Sequence, residues 1–103
     1  MIVGCKKKEI TPETPKEIVY HQTEVYLTST GTRNFYINGS EMVAYQRPTT
    51  YTTKTGDVLR CVVDAYHGNV YNLDNVSVII YIDGKEVLNK LQYSYIDINY
   101  TVE

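Results

Sequence analysis

An antiparallel β-sandwich is the fold class this chain predicts, and three observations carry it. Asn38-Gly39 and Asp83-Gly84 each sit between β-prone runs. An Asx-Gly pair in that setting is the strongest short-range hairpin signal, because a type I′ turn needs positive φ at both central residues. Seven or eight short strand-like segments recur at roughly 8 to 12 residue spacing, with turn residues between them and no stretch of helical period. Eleven Tyr and twelve Thr stand beside one Phe and no Trp among 103 residues. Such side chains suit pleated, half-buried surfaces, where a ring or methyl packs while a hydroxyl meets water.

Residues 1–17 have no strand or helix period, carry Pro12 and Pro15, and read as an extended tail. The sandwich domain is expected over 18–103. Ile18 to Thr28 alternates as a first strand, with Val25 and Leu27 on one face and Glu24 and Tyr26 on the other. Ser29 to Thr32 turns the chain around Gly31. Asn34–Ile37 and Glu41–Gln46 form a hairpin about Asn38-Gly39, which Pro48 stops or confines to an edge.

Thr49–Thr55 is either a short edge strand or an extended loop, and Thr55-Gly56-Asp57 turns again. Val58–Tyr66 places Leu59, Cys61, Val63 and Ala65 on one face, with Arg60, Asp64 and Tyr66 largely on the other. His67–Asn75 is the longest loop within the domain. In the hairpin of Asn75–Leu91, a two-residue loop sets Ile82 opposite Lys85, Ile80 opposite Val87, Val78 opposite Asn89 and Val76 opposite Leu91, with Ile79 opposite Leu88 on the other side. Val76, Val78, Ile80, Ile82, Val87 and Leu91 are the expected packing face. Ile96, Ile98, Tyr100 and Val102 alternate with polar residues in a last strand.

A chain of this length holds one core and one domain. Hydrophobic residues at 43% and charged residues at 21% describe neither a disordered chain nor a membrane-spanning one, and no apolar run approaches the roughly 18 residues of a transmembrane helix. A formal charge of -2 argues against a general nucleic-acid binder. Charge is unevenly placed: the tail is mildly basic through Lys6, Lys7, Lys8 and Lys16, and the remainder is mildly acidic.

Catalytic and metal-binding patterns are sparse. No Ser lies in a G-x-S-x-G frame, and His21 and His67 belong to no paired motif. Neither Cys5 nor Cys61 has a neighbour at zinc-ligand spacing. Cys61, on an apolar strand face, reads as a small core hydrophobe. Asp83 belongs to its turn. Asn69, Asn72, Asp74 and Asn75 offer oxygen atoms of the kind calcium takes, and are equally ordinary turn residues. Tyr66 and Tyr71 border the same loop, either to stack on a sugar or partner protein or to cover the end of the core. A contact surface of Tyr66, His67, Asn69, Tyr71, Asn72 and Asp74 is therefore the expected site, with no catalytic residue, metal or cofactor.

Ile2-Val3-Gly4-Cys5, followed by Lys6-Lys7-Lys8-Glu9 and a Pro/Thr/Glu spacer, resembles the lipobox and polar tether of bacterial surface and outer-membrane lipoproteins, those of Bacteroidetes-type bacteria in particular. The resemblance covers about a tenth of the chain. It implies a truncated signal ahead of a lipidated Cys5, attachment to membrane lipid at the outer membrane or cell surface, and a Cys5 thiol held as a thioether. Gly56-Asp57-Val58-Leu59 and Val78-Ile79-Ile80-Tyr81-Ile82-Asp83-Gly84-Lys85-Glu86-Val87 loosely resemble the small periplasmic domains called MmpS. That second resemblance implies an immunoglobulin-like sandwich of 7-8 strands and lacks the cysteine pair often seen in the family.

The expected function is thus a non-enzymatic, lipid-anchored cell-envelope module that contacts a protein or glycan. The alternative is a structural subunit of a large assembly, such as a virion decoration or fibre protein, whose symmetric copies order one another's tails.

Overall fold

The computed structural model describes residues 17–45, 47–67, 70–71 and 74–103. The expectations for the tail, Cys5 included, lie outside these residues. Ten strands are assigned: β1 (Tyr20–Thr28), β2 (Thr32–Ile37), β3 (Ser40–Met42), β4 (Thr49–Lys54), β5 (Val58–Asp64), β6 (Tyr66–His67), β7 (Val70–Tyr71), β8 (Asn75–Ile82), β9 (Lys85–Tyr93) and β10 (Tyr95–Thr101). Eight of them make an antiparallel sandwich. Sheet I has the order β4-β1-β8-β9 and sheet II the order β10-β5-β2-β3, while β6 and β7 pair only with each other.

Both Asx-Gly turns form as the sequence predicts. Asn38 and Gly39 take φ of 51° and 84°, Asp83 and Gly84 take 53° and 81°, and the flanking pairs Ile37–Ser40 and Ile82–Lys85 close two-residue loops. The segment 49–55 is resolved in favour of an edge strand, since β4 pairs only with β1. β1 starts at Tyr20 rather than Ile18: Ile18 and Val19 are exposed, and before the Tyr20–Lys54 pair only the Thr55 amide reaches back, to Val19 O.

The core lies where the alternation put it. Val25 and Leu27 from β1, Phe35 from β2, Leu59, Cys61 and Val63 from β5, Val76, Val78 and Ile80 from β8, and Ile96 and Val102 at the end of the chain are buried. Side chains of this size each gain about 1.5–3 kcal/mol on full burial. Phe35 is the largest, fully enclosed, with the Tyr51 ring 4.8 Å away across the sheets. The Tyr51 hydroxyl donates to the Val43 carbonyl, which fixes the crossover from sheet II to sheet I.

The register of the second hairpin departs from expectation after two pairs. Ile82 faces Lys85 and Tyr81 faces Glu86, but Ile80 faces Leu88, Ile79 faces Asn89, Val78 faces Lys90 and Val76 faces Gln92. Val87 is an extra residue, a β-bulge between the Tyr81–Glu86 and Ile80–Leu88 pairs. Every later side chain of β9 therefore changes face. Leu91, expected in the packing face, stands on the outer surface with 67% of its area exposed, whereas Val87 and Leu88 are half-buried against the core. Lys90 and Gln92 take the positions on the inward side of this edge strand, where both are exposed and Gln92 Nε2 donates to the Tyr95 carbonyl.

Candidate contact surface

β1 runs from one end of the sandwich, the tail pole, to the other, the loop pole. Residues 19–22, 38–40, 54–58, 82–85 and 101–103 gather at the tail pole; 28–33, 64–67, 70–71, 74–75 and 92–96 gather at the loop pole.

The loop pole is fastened by backbone. Ser29 Oγ donates to the Asp64 carbonyl at 2.7 Å and accepts the Gly31 amide at 2.9 Å. Gly31 is obligatory there, since a Cβ would lie 2.2 Å from the Asp64 carbonyl oxygen and 2.4 Å from that of Tyr66. The Ala65 amide donates to Ser94 O, the Ser94 amide to Asp74 O, and the Tyr66 amide to Asp64 Oδ1. Ser94, at φ 76°, is the corner where the chain passes from sheet I to sheet II. Tyr93 and Tyr95 therefore point to opposite outer faces, and both are exposed, as are Tyr66 and Leu91. Arg33, on the Phe35 face of β2, reaches back toward the mouth: its Nη1 donates to Ser29 O at 3.3 Å, and its buried Nε has no partner among the described residues.

Of the residues expected in the site, Tyr66 is exposed at this pole, and Asp74 is exposed with its carbonyl tied to Ser94. His67 and Tyr71 contribute backbone to the β6–β7 pairs Tyr66–Tyr71 and His67–Val70, and their side chains lie outside the described set. Asn69 and Asn72 lie outside the described residues altogether. Tyr93, Tyr95 and Leu91 were missed. The signal for the first two was the repeat Tyr93-Ser94-Tyr95, which alternation alone assigns to one face unless a corner intervenes.

The tail pole is organised by a polar network, beside which Ile18, Val19, Tyr20 and Val58 are exposed. Asp57, a buried carboxylate, accepts the Asn38 side-chain amide at 2.9 Å, the Lys54 amide at 2.8 Å and the Lys54 ammonium at 3.2 Å. The Asn38 amide and the Lys54 amide hold its carboxyl below the usual carboxylate range. Asn38 Oδ1 accepts the Val58 amide, so one side chain joins the β2–β3 turn to β5.

Beside it, Asp83 Oδ2 lies 2.7 Å from His21 Nδ1, and His21 Nε2 lies 2.9 Å from Thr55 Oγ1. Asp83 Oδ1 also accepts the Gln22 amide, and these contacts lower the Asp83 pKa, His21 first. Carboxylate, imidazole and hydroxyl stand in the order of a nucleophile relay, next to an open cleft lined by Glu17, Ile18, Val19, Lys54 and Thr55. Acyl transfer also needs donors aimed at a developing oxyanion. Here the amides of Thr55, Gly56 and Asp57 are all committed, to Val19 O, Val102 O and Lys54 O. What the geometry does is pin two turns to the start of β1.

No group of three or more His, Cys, Asp or Glu side chains among the described residues is placed to hold a metal ion, and none of their helices is long and apolar enough to cross a membrane. No protein-family model, curated protein or solved structure matches this chain.

Proposed function

We propose that this chain is a tethered, non-enzymatic binding module of the cell envelope, held by its tail at one pole and contacting a protein or glycan with the other. The observation that carries this reading is the distance between the start of the domain and the exposed Tyr66, Tyr93 and Tyr95. Glu17 stands beside the network of His21, Asp57 and Asp83, while exposed Tyr66, Tyr93 and Tyr95 lie at the far ends of the strands, the last two on opposite outer faces. Nine residues of β1 put about 30 Å between the poles. Exposed tyrosines present flat apolar area with a polar rim, the surface that stacks on sugars or anchors a protein contact.

In this reading Cys5 carries the lipid, Lys6 to Lys8 lie near anionic headgroups, and residues 9 to 17 are spacer. The pairing of β1 with β4 in one sheet and of β2 with β5 in the other supports an immunoglobulin-like description, whose B–E and C–F pairs cross in the same way. Mass spectrometry of the full gene product recovered from membranes tests the anchor. A diacylglyceryl thioether on Cys5 is expected, and an unmodified Cys5 with the preceding residues retained overturns it.

A further inference from the structure

Among the described residues each sheet has two edge strands without an outer neighbour, and β10 differs from the other three. Edges are ordinarily defended by charge, proline, brevity or a bulge. β9 carries Lys85, Glu86 and Lys90 and is bulged at Val87. β4 follows Pro48 and ends on Lys54, and β3 is three residues long with Glu41 at its centre. β10 runs seven residues with no proline, lysine or bulge. Its one charge, Asp97, is engaged by Arg60 of the same chain through bonds of 2.9 and 2.7 Å.

The direction of its backbone groups follows from the strand ends. Ser94 O accepts from Ala65 and the Val102 amide donates to Asp57 O, so the even-numbered residues aim at β5. Tyr95, Asp97, Asn99 and Thr101 aim their amide and carbonyl groups at the open side. Of these, Tyr95 O is covered by the Gln92 side chain.

We propose that β10 pairs antiparallel with β10 of a second copy about a two-fold axis through Ile98, merging two four-stranded sheets. In that register Tyr95 faces Thr101 and Asp97 faces Asn99 on the outer surface. On the inner surface Ile96 faces Tyr100 and Ile98 faces itself. Ring meets methyl, carboxylate meets amide, and apolar side chains meet one another, each pair occurring twice by symmetry except Ile98 with itself on the axis. A two-residue slip one way sets Asp97 against Asp97. Slipping the other way sets Tyr95 against Glu103, beyond the strand, and a one-residue slip mismatches the backbone donors. The self-complementary register is the one that uses the whole strand. Tails then leave on opposite sides. The chain between Cys5 and Glu17 reaches at most about 40 Å when extended, more than the roughly 30 Å that β1 spans between the poles, so both copies still reach one membrane.

Sedimentation equilibrium of the full chain over a wide concentration range tests this pairing, independently of any lipid on Cys5. A monomer–dimer equilibrium is expected. Asn99→Asp, which sets a carboxylate opposite Asp97 of the second copy, raises Kd about tenfold, and Asn99→Lys lowers it. Asn99→Pro removes an amide that only the second copy uses and leaves the monomer fold, read by far-UV circular dichroism, intact. If Asn99→Pro fails to fold, the opposite signs of the Asp and Lys variants still decide. Monomer at every concentration, open-ended polymer, or a dimer indifferent to the charge at position 99 overturns the proposal.

Discussion

His21 joins Asp83, 62 residues distant in the chain, to Thr55 through the two nitrogens of one imidazole, at 2.7 and 2.9 Å. That side chain ties the β8–β9 and β4–β5 turns to the first strand, and Asp83 adds the Gln22 amide to its partners. His21→Ala is expected to lower Tm by a few degrees, because Asp83 is more than half exposed and water replaces part of what is lost. The specific sign is electrostatic: without the imidazole the Asp83 carboxyl titrates closer to an ordinary aspartate, measurable by carbon-detected NMR.

Asp57 is the costlier position. Its side chain is 8% exposed, and it satisfies two amides and an ammonium at once. Asp57→Ala leaves the Asn38 and Lys54 donors without their acceptor and should cost about 2 kcal/mol, read by urea denaturation with an unchanged m-value.

Acid sensitivity follows from the same groups. The carboxyls of Asp57, Asp83 and Asp97 titrate below their ordinary values, held down chiefly by the Asn38 amide, the His21 ring and the Arg60 guanidinium respectively. A carboxyl whose pKa is lower folded than unfolded contributes stability that is complete above the unfolded value and is lost as pH falls through the folded one. Stability should therefore fall below about pH 4, where unfolded aspartates begin to take protons. Asp57→Asn should flatten that acid limb, and a slope identical to the parent's would contradict the assignment.

Cys61 lies at the centre of β5 with none of its surface exposed, and burial pushes its thiol up to about 12. Thiolate is the reactive form. At pH 8 in native buffer, iodoacetamide should leave Cys61 unmodified over hours, with peptide mass spectrometry distinguishing it from Cys5. Labelling should follow the global unfolding rate as urea is added.

Gly31→Ala tests the loop pole. The new methyl would meet backbone oxygen and carbon on three successive residues, Asp64, Ala65 and Tyr66, none of which yields as a flexible side chain would. A loss of about 3 kcal/mol is expected, with faster exchange of the Ala65 and Tyr66 amides.

Local chemistry explains which features were readable from the sequence. The hairpins at Asn38-Gly39 and Asp83-Gly84 were visible because positive φ restricts the residues a turn accepts, and the β5 and β8 faces because alternation survives wherever one side is buried. The bulge at Val87 was not, since Lys85–Tyr93 supports either phase: Val87 and Leu91 are apolar in one and Leu88 in the other. At the tail pole, Asp57 and Asp83 were recognised as turn residues. Their partners Asn38 and His21 are 19 and 62 residues away, and turn chemistry carries no information about contacts of that range. At the loop pole Tyr66 was readable as a strand-to-loop boundary, while Tyr93 and Tyr95 depended on the corner at Ser94, a non-glycine residue with positive φ.

β1 is bonded on both sides, to β4 through Tyr20–Val25 and to β8 through Thr23–Thr28. Tension applied between the amino end and the loop pole runs along this strand and loads both ladders in shear, with every rung sharing the force. Peeling from an edge strand such as β10 would instead break rungs one at a time. Force entering through the first strand is thus met by the two ladders at once, which is the load the proposed tether at Cys5 would apply.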